Sequence, residues 1–280
     1  MSRPLTSVSG YLKRIKALKD KTSPGHMLLF RGHGNLEYKL VPKLYRKPKW
    51  VKNEHLMFKE MVLSNPSEFA ADNSTIDKLV RMQHFSMPTR LLDLTVNPIV
   101  ALYFAVEEET KKLGEVVVLE IPENQIKYYD SDTVSVLSNL CKVPYEEKSF
   151  DVSIVDPDEF NDTDSAKKLV YVTREEKPYF ENVINPNDLY RVLAVRVKLN
   201  NRRIIVQSGA FLLFGMGADK RHCAAIEEAW LPLKMSSERI LIDKNSKRKL
   251  SQELSVLNIT EASLFPDIDE TAISISDRFK

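Results

Sequence analysis

Cysteine is scarce. The chain has two, Cys141 and Cys223, with no C-x-x-C spacing and no cluster of histidine and cysteine. No disulfide framework and no metal site are therefore expected, and a reducing compartment is the default. Charge of one sign is also lacking. A net charge of +2 is too small to imply that the whole surface attracts nucleic acid. No apolar run approaches the roughly 20 residues of a membrane helix. The segment "MSRPLTSVSGYLKRIKALKD" carries charges where a signal peptide has an apolar core. The expectation is a cytoplasmic chain with no membrane partner. There is no P-loop, no dinucleotide fingerprint, no internal repeat and no low-complexity tract.

What is present is a globular composition. At 280 residues, 43% hydrophobic and 29% charged, the chain can bury a core without staples. The spacing of Tyr11, Ile15 and Leu18 predicts a first helix. "MLLFR" (27–31) reads as a buried strand before a Gly-rich turn. Helices are expected over "NEHLMFKEMVLSNP" and over "STIDKLVRMQHF", the latter opened by Ser74 and Asp77 at capping-box spacing. Asn97 and Pro98 start another. "GEVVVLEIP" (114–122) reads as a central strand. Residues 130–165, rich in Asp and Ser, read as an elaborated surface insertion. "LYRVLAVRVKL" and "ERILID" read as strands, and "RRIIVQSGAFLLFG" as strand, turn at Ser208-Gly209, strand. "SKRKLSQELSVL" reads as a helix, and "LFPDIDETAISI" as a turn into a last helix. Helices early and strands later give an α+β fold: one domain over 1–280, with small mixed or antiparallel sheets and flanking helices.

The candidate site comes from polar crowding. Gln83, His84, Thr89, Arg90, Asp93 and Thr95 fall within thirteen residues, just before an apolar helix. Pro88 fixes the turn among them. Arg31 ends a strand beside Gly32, so its planar fork can meet a phosphate where the backbone approaches closely; the competing reading pairs it with Asp93. His84 closes a helix, where the dipole alone favours it. Asn97 is the better helix cap, which leaves Thr95 for a ligand or a neighbouring strand. Gln207, at an expected strand end, can orient a ribose hydroxyl but cannot act as a base. The acidic run 107–109 reads as a solvated helix face. "YRKPKWVK" (45–52) interleaves Tyr45 and Trp50 with Arg46, Lys47, Lys49 and Lys52, a pattern that suits nucleic acid or an ordinary solvated loop.

"LLFRGHGNLEYKLVPKLYRK" contains Phe30-Arg31-Gly32 and resembles the opening signature of the FRG domain family. "QHFSMPTRLLDLTVNPIVALYFA" resembles that family's second block, with Ser86 and Leu94 in place of a glycine and a tryptophan. "RRIIVQSGAFLLFG" and "LFPDIDETA" resemble two later blocks, so the likeness covers about residues 26–275. A weaker similarity joins the aromatic-Arg-Gly strand and the "DLT…NPIVALYFA" layout to ADP-ribosyltransferases. The FRG resemblance implies a setting of bacterial or phage conflict, and the weaker similarity implies NAD as a substrate of an effector acting as an ADP-ribosyltransferase or NAD glycohydrolase. Arg31, His84, Asp93 and Gln207 would be its catalytic residues. Phe30, Gly32, Gln83, Thr89, Arg90 and Thr95 would contact the ligand. Gln207 stands where that family has an acid. The alternative is a non-enzymatic module that senses a nucleotide or binds nucleic acid in a defence system.

Overall fold

The computed structural model describes residues 3–108, 110–144, 150–151, 153–233, 238–267 and 276. The chain opens with helix α1 (Val8–Lys19), capped by the Ser7 side chain, and strand β1 (His26–His33). Four helices follow: α2 (Pro48–Lys52), α3 (Glu54–Ser64), α4 (Pro66–Phe69) and α5 (Thr75–His84). Ser74 accepts from the Asp77 amide at the start of α5. Strand β2 (Leu91–Thr95) leads into α6 (Pro98–Glu107), where Asn97 Oδ1 accepts from the Ile99 amide at 2.9 Å. Next come β3 (Gly114–Pro122), β4 (Lys127–Tyr128), and helices α7 (Asp132–Asn139), α8 (Pro157–Asp162) and α9 (Asp164–Arg174). The chain continues through β5 (Val192–Arg196), α10 (Arg202–Val206), β6 (Gly209–Phe214), β7 (Ile240–Ile242), α11 (Lys247–Val256) and α12 (Glu261–Leu264).

The fold is α+β. The strands form one seven-stranded mixed sheet in the order β4-β5-β6-β2-β1-β3-β7, parallel only between β4 and β5. Side chains alternate between its faces. Phe30, Val116 and Val118 pack beneath α1, α6 and α11, while Leu29, Leu92, Leu94, Leu119 and Leu212 meet Trp230 on the opposite face. Gly32 explains how closely α6 lies on β1: an added Cβ would stand 2.0 Å from the Ala101 carbonyl oxygen. Its missing side chain serves helix packing as well as any ligand.

Several expectations need correction. The first strand runs past 31 to His33. Residues 202–206 are helical, because Asn201 Oδ1 caps the Arg203 amide and overrides the strand preference of Ile204, Ile205 and Val206. The turn at Ser208-Gly209 is present, with Ser208 at φ 48°. The described part of 130–165 is not all surface: Val134, Leu137, Leu140, Cys141 and Phe160 belong to the core packed with α5 and α9, while residues 155–159 are exposed. Apolar residues at helical spacing were masked by the Asp and Ser between them. Residues 45–52 are a short 3-10 turn and α2, and Lys47 lies over the Trp50 ring at 4.5 Å. The helix expected within "LFPDIDETAISI" falls mostly outside the described residues. Among those residues, no helix is long and apolar enough to cross a membrane.

Candidate functional site: a cleft where two central strands part

Strand β1 pairs with β3 along its whole length, but with β2 only where Phe30 faces Thr95. Past that point β1 and β2 separate. The Arg31 side chain bridges the wedge, with Nη1 donating to the Asp93 carbonyl at 2.6 Å. It takes over a carbonyl that the sheet ladder leaves unpaired. The wedge is a cavity of about 250 Å³.

Two rows of side chains line it. Arg31, His33 and Leu94 come from one sheet face, and Tyr38 and Arg46 from the segment after β1. From the helical side come Thr95, Val100, Phe104, Glu108, Arg203 and Gln207, with Asp93 from the middle of β2. Three guanidinium groups and two carboxylates thus share one wedge. Burial pulls the Arg31 pKa below its ordinary value; nearby Asp93 opposes this and Arg46 reinforces it. A partly buried cation in that state favours an anion beside it. Arg31 Nε donates to His33 Nε2 at 3.1 Å, which puts the ring proton on Nδ1. His33 is 2% exposed, and its Nδ1 has no hydrogen-bond partner. Burial, then the charges of Arg31, Arg46 and Arg239, push its pKa down to about 3. The ring is neutral at pH 7.

Of the four residues expected to be catalytic, Arg31, Asp93 and Gln207 line the cavity and His84 does not. His84 Nε2 faces Asp267 Oδ1 at 3.2 Å. Burial lowers its pKa, against the pull of Asp267. The Gln207 amide donates to the Leu264 carbonyl at 3.0 Å, so it holds the segment after α12. Arg203 stacks on Phe265 in the same segment, and Phe265 packs edge-on against Phe104.

The expected ligand contacts divide. Phe30, Gly32 and Thr95 border the cavity, although Phe30 is buried beneath α6. Thr95 is not free: its hydroxyl donates to the Gln207 carbonyl at 2.7 Å and accepts from the Asn97 amide at 2.9 Å. Gln83, Thr89 and Arg90 do not border the cavity. Thr89 Oγ1 donates to Gln83 Oε1 at 2.6 Å, and Gln83 Nε2 donates to Asp93 Oδ2 at 2.8 Å. That chain holds the Asp93 carboxylate in place. Arg90 is fully buried and pairs with Glu54 through two bonds, at 2.9 and 2.6 Å. Burial works against its charge, but Glu54 outweighs it and holds the Arg90 pKa above the ordinary value. A side chain so enclosed meets no ligand.

Sequence reasoning missed His33, Tyr38, Phe104, Glu108 and Arg203 as cavity residues. His33 was visible in "RGHGN", two positions from Arg31 and so on the same strand face. Glu108 was hidden in a run read as solvated. Lys247, also missed, lies beneath the site: its buried Nζ donates to the carbonyls of Gly34 and Glu108 at 2.7 and 2.8 Å. It ties the end of α6 to the turn after β1.

Residues 26–113 match the family model of the FRG domain. The matched span supplies Arg31, His33, Arg46, Asp93 and Glu108. Arg203 and Gln207 come from outside it, and the expected likeness beyond residue 113 is not part of the match. No curated protein and no solved structure matches the chain.

Proposed function

We propose that the wedge binds a phosphate-bearing nucleotide, with NAD as the leading candidate, and that the chain is an effector resembling ADP-ribosyltransferases. The observation that carries this reading is the placement of Arg31, Arg46 and Arg203 around one cavity with Asp93 and Glu108. Guanidinium forks suit phosphate oxygens. Carboxylates suit ribose hydroxyls, and they also stabilise a cation developing at a sugar carbon. In the enzymatic form, NAD and water give ADP-ribose, nicotinamide and a proton. Arg31 and Arg46 hold the diphosphate. Asp93, fixed by Gln83, faces the sugar. Gln207 cannot be the acid of this chemistry, and Glu108 is the second carboxylate in reach of the cavity.

The non-enzymatic alternative uses the same cavity as a sensor. In it the order around Asp93 is scaffolding, and the ligand leaves unchanged. Incubating the protein with NAD and measuring free nicotinamide separates the two. Release that disappears in Asp93→Asn and Glu108→Gln supports the enzyme. Binding without release supports the sensor, and absence of both refutes the nucleotide reading.

A further inference from the structure

The wedge is small. Sites for small molecules usually measure about 300–1,000 Å³, so 250 Å³ encloses only part of a dinucleotide. A second cavity, of about 470 Å³, lies beside it. His33 and Tyr38 line both. The strand register explains the continuity. Arg31 stands opposite Val117 and His33 opposite Glu115 on β3, so these four share one sheet face. Val117 and Glu115 line the second cavity with Leu40, Leu231 and Leu233. Glu115 is buried and paired with Arg239, and Glu228 stands at the side.

The cations lie at the crossing point. Arg31 bonds His33 directly, and Arg46 lines the first cavity with both. A dinucleotide has the same order of parts: nucleoside, diphosphate, nucleoside. We infer that the ligand lies across β1, with its diphosphate on Arg31 and Arg46 and a second nucleoside in the apolar groove beyond Tyr38. This rests on the nucleotide reading above and adds a second subsite to it. The leucines and Val117 receive a flat base, the exposed Tyr38 ring stacks on it, and Glu228 accepts from an exocyclic amine. The unpartnered Nδ1–H of the buried His33 sits under the crossing.

The test is calorimetric titration of the full chain with ADP-ribose and with nicotinamide mononucleotide, which has one nucleoside and one phosphate. ADP-ribose should bind about tenfold more tightly, the typical effect of one stacked base. Tyr38→Ala, which lies in both cavities, should weaken ADP-ribose by more than it weakens the mononucleotide. Glu228→Gln should weaken ADP-ribose alone. Arg31→Lys should weaken both ligands. Equal affinity for the two ligands in the wild type, or a Tyr38→Ala loss that is the same for both, overturns the second subsite and leaves the first standing. Failure of both ligands to bind overturns the first reading and this one together.

Discussion

Consider the removal of Arg90. Its guanidinium makes three bonds in the interior, two to Glu54 and one to the Phe214 carbonyl at 3.0 Å. Arg90 is 0% exposed and Glu54 4%. Arg90→Met keeps most of the volume but leaves the Glu54 carboxylate buried without its main partner. Breaking such a pair costs about 3–5 kcal/mol. The low end applies here, because Lys220 Nζ stands 3.8 Å from Glu54 Oε2 and compensates in part. At about 2–4 °C per kcal/mol for a chain near this size, the melting temperature should fall by about 6–12 °C. Glu54→Leu should cost a similar amount, since it strands the arginine. The double variant should recover most of the loss, because two apolar side chains replace two desolvated charges. Thermal melts of the four proteins measure this. Ligand affinity, extrapolated to the folded fraction, should be unchanged throughout. A double variant no better than the worse single one would refute the pairing as the source of the cost. A loss of affinity without a loss of stability would restore Arg90 to the ligand site.

Other expectations follow from the same geometry. His33 binds its proton only near pH 3 when folded, but near 6.5 when unfolded, so its contribution is complete above 6.5 and declines as pH falls towards 3. By pH 5 the loss should reach about 2 kcal/mol; His33→Gln should flatten the stability profile between pH 7 and 5, and an unchanged slope would contradict a neutral buried ring. Gly32→Ala should cost about 3 kcal/mol or more, because the Ala101 carbonyl and the Ala105 amide nitrogen leave no room for a methyl group; near-normal expression and melting would show that α6 can retreat. Gln207→Ala removes the bond to Leu264 and should cost about 1 kcal/mol, with faster proteolysis around residues 260–267. Unchanged protection there would mean that Arg203 and Phe265 hold the segment alone.

The elements were legible where local chemistry agreed with packing. Asn97-Pro98 opened a helix and Ser74 capped another, because caps act within a few residues. β3 was legible as a near-continuous apolar run, since the sheet is covered on both faces there. The misreadings came from longer range. "RRIIV" has strand-forming side chains, yet one Asn cap and its place against β6 made it a helix. Arg31 and Asp93, both singled out from the sequence, line the wedge, but the wedge between β1 and β2 depends on where two strands stop pairing, which no local pattern encodes. Arg90 is sealed against a carboxylate while Arg31 bonds a carbonyl and a histidine at the cavity, and the Arg90 partner Glu54 lies 36 positions away. Arg203 joins the cavity from 172 positions beyond Arg31, on a helix read as a strand.

The central claim is that Arg31 meets a ligand phosphate with the guanidinium N–H groups left over from its bonds to His33 and the Asp93 carbonyl. Titration of ADP-ribose into the wild type and Arg31→Lys, beside thermal melts of each, tests it most directly. Lysine keeps the charge and loses the bidentate geometry. The account predicts affinity lower by about ten- to a hundredfold, the value of one or two charge-assisted bonds, with the melting temperature of the free protein lower by only a few degrees, for the bonds to His33 and the Asp93 carbonyl that lysine cannot both make. Equal affinity in the two proteins would contradict it.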